Sequence, residues 1–255
     1  KEIRNPFLQK NGEDKAAGEN TPELRPSSET TPQRLSMART PSIEIPEATN
    51  LSDGRFSTVR GFSVEEVMAG SQTGSLITAT FNEFGQLIVA RENGPLMICT
   101  DSEQDGKFEE IREYSNLVTN CQGLLPLSGM LFVISDGPEG CGLYRLEDPA
   151  RRGVMTKAKL LVSFDVTAQE HGPHGITLGP DGRLYVVCGN HGTINRKFSK
   201  LSPRQNLYEG DLIPRYEDPA GHANGVKLPA GFVFRTDTQG KDVELFASGM
   251  RNVYD

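Results

Sequence analysis

The chain has no tryptophan, and aromatic residues make up only 7% of its 255 positions. No apolar run approaches the 18 residues that a membrane-spanning helix needs. Positive charge is not in excess: 27 Lys and Arg face 34 Asp and Glu, for a net charge of −7. An acidic balance argues against binding nucleic acid, which requires basic patches. Only four cysteines occur, Cys99, Cys121, Cys141 and Cys188, and none forms a CxxC, CxxCH or zinc-ribbon pattern. Two readings stay open for them: small buried strand residues, or a disulfide such as Cys121–Cys141, which would imply export. There is no nucleophile elbow, P-loop or dinucleotide fingerprint. The chain starts at Lys1 without a charged-then-apolar leader, and is expected to be a processed chain or a fragment.

The first fifty residues hold six of the sixteen prolines and one aromatic, Phe7. Such a segment buries too little apolar surface to offset the entropy of ordering it. Residues 1–55 are therefore expected to be a disordered Pro/Ser/Thr/Glu-rich tail. From Phe56 onward, short apolar runs alternate with Gly, Asp, Asn and Pro, which is a strand signal. Ser63 to Ala69 reads as a short helix or, nearly as well, as a strand.

A repeat follows. Phe81–Val89, Leu127–Val133 and Gly179–Val186 each carry a turn ending in Gly, one further residue, then an apolar strand. The glycines Gly85, Gly129 and Gly182 are expected at positive φ in tight turns. Downstream of each lies a strand ending in Asp: Leu96–Asp101, Leu143–Asp148 and Phe232–Asp237. An outer strand comes next each time, at Phe108–Tyr114, Lys159–Phe164 and Val243–Ala247. Four strands in roughly 45 residues is the pattern of a β-propeller blade. The expected fold is all-β, an incomplete propeller of about three to four blades over residues 56–255. An open propeller exposes an unpaired edge, so the isolated chain is expected to be poorly soluble or partly folded. The third unit carries an insertion at about 190–230. Insertions of this kind fall in loops on one face, often the binding face.

All four histidines, His171, His174, His191 and His222, lie in or beside this third unit. Histidine is the side chain best suited to acid–base chemistry near neutrality and to metal binding. Asp101, Glu103, Asp105 and Gly106 fit positions 1, 3, 5 and 6 of a calcium loop. Position 12, however, is Arg112 rather than Glu, which favours a solvated hairpin turn.

The stretch Glu170–Tyr185, with His171 upstream of Gly179-Pro180-Asp181-Gly182, resembles the glucose/sorbosone dehydrogenase superfamily of quinoprotein propellers. Gly249-Met250-Arg251-Asn252 resembles the same family's Gly-x-Arg-Asn motif. The run Tyr208–His222, together with Phe81-Asn82-Glu83-Phe84-Gly85, resembles the planctomycete-type "membrane-bound dehydrogenase", or haem-binding, proteins. The resemblance covers roughly residues 60–255.

It implies a periplasmic or exported sugar or aldose dehydrogenase that uses pyrroloquinoline quinone (PQQ) and Ca²⁺. Electrons would pass to a cytochrome c-type domain outside these residues, and no transmembrane segment is expected within them. It also implies a histidine base, for which His171 and His174 compete, because Gly172-Pro173-His174 replaces the family's His-x-Gly-Gly. Arg251 and the adjacent Asn252 take the place of the cofactor clamp, with His191 and His222 as further cofactor or metal candidates. The alternative is a non-catalytic propeller that binds a glycan, a protein or a metal.

Overall fold

A computed structural model describes residues 49–50, 56–59, 61–166, 170–207 and 230–254. The chain divides into two units, Lys1–Phe62 and Ser63–Asp255. In the first, β1 (Thr49–Asn50) pairs antiparallel with β2 (Ser57–Thr58), so pairing begins inside the segment expected to be tail. Residues 1–48 and 51–55 lie outside the described residues.

The second unit is almost entirely β. Three four-stranded antiparallel sheets follow one another along the chain. The first is β3 (Leu76–Phe81), β4 (Leu87–Arg91), β5 (Leu96–Thr100) and β6 (Glu110–Ser115). The second is β7 (Thr119–Leu127), β8 (Met130–Gly137), β9 (Gly140–Glu147) and β10 (Lys157–Ser163). The third is β11 (Pro173–Leu178), β12 (Leu184–Cys188), β13 (Gly231–Thr236) and β14 (Glu244–Met250). Spatial order equals chain order in each, and β3 packs on β7 as β7 packs on β11. Consecutive blades of a propeller meet in this way, through their first strands.

Alternation explains the packing. In β8, Leu131 and Val133 face a core shared with Ile88, Leu96 and Ile98 of the first sheet. Phe132 and Ile134 face the opposite core, shared with Leu184, Val186, Phe232 and Phe234 of the third. The middle sheet is therefore buried on both faces, and its strand reads as an unbroken apolar run, Met130–Ile134.

The three repeat glycines have φ of +76°, +73° and +73° at Gly85, Gly129 and Gly182, as expected. Their turns are of two kinds. Ser128-Gly129 is a two-residue hairpin loop between paired Leu127 and Met130. Gly85 and Gly182 instead close five-residue loops, with N–H bonds to Asn82 and Gly179. The Asp of each later turn organises its own loop. Asp101 accepts from the Asp105 and Gly106 N–H groups, Asp148 from Gly153, and Asp237 from Gln239 and Lys241. Burial works to raise the Asp237 carboxyl, but these N–H groups and the Lys241 charge hold it below the usual carboxylate range.

Ser63–Ala69 is neither helix nor strand. One helical turn, α1 (Gly70–Thr73), forms after it, and Arg91 binds the carbonyls of Gln72 and Thr73 at its end. Of the β12–β13 connection, residues 189–207 and Ala230 are described. Thr193–Asn195 pairs with the end of β10, and Ser199–Arg204 runs along the outer edge of β14. That segment covers sheet edges that would otherwise be open.

All four cysteines are buried free thiols, which excludes the Cys121–Cys141 bridge in this structure. Burial pushes the Cys141 thiol up to about 12 and raises those of Cys99, Cys121 and Cys188 as well. Titration with an aromatic disulfide reagent at pH 8 is expected to find no fast-reacting thiol in the native chain and four after denaturation without reductant. Fewer than four in denaturant would point to a disulfide.

Candidate functional site

Three connections that are distant in sequence meet at the third sheet. They are residues 170–174, which run into the first residues of β11, residues 189–191 leaving β12, and residues 251–254 following β14. Main-chain bonds lock them together. Gly189 N–H donates to Gly172 O (2.7 Å), His191 N–H to His171 O (3.0 Å), Asn190 N–H to Arg251 O (2.8 Å) and Gly175 N–H to Tyr254 O (2.9 Å). Gly189 admits no side chain, since a Cβ there would lie 2.4 Å from His171 O.

The side chains follow this backbone. His171 Nδ1 lies 2.7 Å from Asn190 Oδ1. The Asn190 oxygen accepts this bond in the tautomer that carries its proton on Nδ1. His174 Nε2 contacts Glu170 O and lies 3.2 Å from Asn252 Oδ1. The Asn252 amide also donates to Glu170 O at 2.9 Å. Tyr254 stacks on His174 with ring centroids 4.0 Å apart, and His171 and His191 lie 4.5 Å apart. His171 is 3% exposed and His174 1% exposed.

Of the residues expected from the sequence, His171, His174, His191 and Asn252 come together. Arg251 joins through its backbone, and its side chain is exposed. His222, together with the Tyr208–His222 run, lies outside the described residues. Asn190 and Tyr254 were not anticipated. The Gly189-Asn190-His191-Gly192 run, a histidine flanked by turn residues, was the available signal for Asn190.

The calcium-like loop gathers a different set than expected. Asp101 and Asp105 group with Glu109, their oxygens within 4.8 Å of one another, and Glu103 is not among them. Three carboxylates at this spacing could hold a hard cation. In this structure, Asp101 and Glu109 accept N–H groups of their own turn.

No helix among the described residues is long and apolar enough to cross a membrane. No family model matches the chain, and no curated protein does. Among solved structures, the chain is similar to a protein assigned as an oxidoreductase (glucose dehydrogenase) from Thermus thermophilus. The identity is 20% and the TM-score 0.33, and the match covers 46% of this chain and 38% of that one.

Proposed function

We propose that the chain supplies blades of a quinoprotein-type sugar or aldose dehydrogenase propeller, with His171 as the general base. The observation that supports this is the oriented imidazole: Asn190 holds the proton on Nδ1 and leaves Nε2 basic. Of the competing pair, His171 fits the role. His174 is held through the opposite nitrogen, with Nε2 on Glu170 O and Asn252 Oδ1, and is the second candidate. Asn252 contacts His174, and the exposed Arg251 is the residue that would hold PQQ. Bound quinone would supply a hydride acceptor, with Ca²⁺ polarising it. A c-type haem outside these residues would take the electrons onward, in a periplasmic or exported setting. His171 is enclosed, so the base reaches a sugar hydroxyl only when the surrounding loops open.

That enclosure favours a second reading, a non-catalytic propeller in which the histidines clasp three loops and the blades bind a glycan, a protein or a metal. The chain loaded with PQQ and Ca²⁺ and assayed for dye reduction by aldoses separates the two. Turnover that falls about 100-fold or more in His171→Ala fits a base. A chain that retains no quinone and shows no turnover supports the clasp.

A further inference from the structure

Residues 92–95, Glu-Asn-Gly-Pro, join β4 to β5. Asn93 stands at φ +53°, a left-handed conformation that asparagine tolerates better than most residues. Pro95 biases Gly94 away from the helical region. Asn93 is exposed, and among the described residues neither its side-chain amide nor the Gly94 N–H makes a hydrogen bond. The main-chain N–H of Asn93 does: it donates to Asn120 Oδ1 at 2.9 Å, and the Asn120 amide donates to Asp136 Oδ2 at 3.3 Å. The turn thereby ties the first sheet to the second.

This arrangement leaves a carbonyl carbon beside an unengaged nitrogen. The Asn93 Cγ and the Gly94 nitrogen belong to adjacent residues, so the chain itself brings the two reactants together. Gly94 has no Cβ to obstruct their approach. Asn82, Asn120, Asn190, Asn195 and Asn252 differ on both counts. Each of their side chains is hydrogen-bonded, and each is followed by a residue that carries a Cβ. Asn93 is the one asparagine among the described residues that precedes a glycine.

We infer that Asn93 is a site of spontaneous deamidation. The Gly94 nitrogen loses its proton to solvent base and attacks Cγ. The bond from Cγ to the side-chain nitrogen breaks, ammonia leaves, and a cyclic imide forms. Water then adds to one of the two imide carbonyls, and the Gly94 nitrogen takes back a proton as the ring opens. Opening at Cγ gives aspartate, and opening at the main-chain carbonyl gives isoaspartate. Nothing is oxidised or reduced. Both products place a new carboxylate beside Glu92, and isoaspartate also lengthens the backbone of the turn that ties the two sheets.

Peptide mapping of the full chain, aged at pH 8 and sampled over weeks, tests this. The tryptic peptide Glu92–Lys107 holds Asn93 as its only asparagine. It is expected to gain about 1 Da, the exchange of an amide for a carboxyl group, and fragmentation is expected to place the gain at residue 93. The gain is expected to be slower at pH 6, because the attacking nitrogen must first lose its proton. Asn82 and Asn120 are expected to stay unchanged over the same weeks. Gly94→Ala is expected to slow the reaction by about tenfold or more, the scale on which a misplaced reactant costs rate. A Cβ at residue 94 would lie 3.0 Å from Arg91 Cβ, so a thermal melt establishes that this variant remains folded. The inference is overturned by a native chain in which residue 93 gains no mass. It is equally overturned by Asn82 or Asn120 reacting as fast as Asn93, or by a folded Gly94→Ala chain that reacts at the parent's rate.

Discussion

Gly123→Ala is expected to destabilise the fold by about 3 kcal/mol, lowering Tm by about 10 °C. Gly123 lies in β7, where that strand meets β11. A Cβ there would stand 2.2 Å from the carbonyl oxygen of His174 and 3.2 Å from its carbonyl carbon. Both obstacles are backbone, so no rotamer change relieves the contact, and one strand has to move. The strand that would move carries His174, so the clasp with Glu170, Asn252 and Tyr254 is expected to loosen with it. Gly85→Ala is the control. Gly85 also has no side chain, but only its φ of +76° demands glycine, and the space around it is open. That substitution is expected to cost about 1 kcal/mol. Parallel thermal and urea melts of the two variants measure the difference. Equal effects would mean that β7 and β11 do not approach as closely as described.

Phe232→Ala is expected to cost about 3–5 kcal/mol, the usual range for emptying a fully buried phenylalanine site. Phe232 is 0% exposed at the centre of the core between the second and third sheets. Its ring also meets Phe198 edge-on, centroids 6.0 Å apart, and Phe198 lies in the β12–β13 connection. The truncation therefore opens a cavity and releases the segment that covers β14. Urea unfolding reads the first effect. Limited trypsin digestion reads the second, through new cleavage at Arg196, Lys197 or Lys200. Phe232→Leu keeps most of the volume and is expected to cost under about 1.5 kcal/mol. A Phe232→Ala chain as stable and as protease-resistant as the parent would contradict this account of the core.

The second, third and fourth strands of each sheet were legible because each announces itself locally. Gly85, Gly129 and Gly182 mark the turns, Asp101, Asp148 and Asp237 mark the next ones, and apolar alternation lies between. The first strands were harder to see. β7 reads Thr-Asn-Cys-Gln-Gly-Leu-Leu-Pro-Leu, and β11 begins Pro-His-Gly. Gly and Pro normally argue against a strand interior. They are tolerated here because Gly123 permits the close approach of β7 to β11, a requirement that arises only when two sheets meet.

The candidate site divides in the same way. The confinement of the histidines to one unit is a property of the chain, and His171, His174 and His191 lie in loops that meet. Which oxygen each ring faces was not, because that depends on Asn190 and Asn252, one 19 residues from His171 and the other 78 from His174. The carboxylate group shows the same limit on a smaller scale. Spacing nominated Glu103, whereas closure of the turn on the Asp101 carboxylate brings in Glu109 instead. Local backbone preference and apolar period, which act within a few residues, were thus enough to announce the blades and their turns. Partner choice among side chains depends on distances across sheets and between loops, and those exist only once the chain has folded.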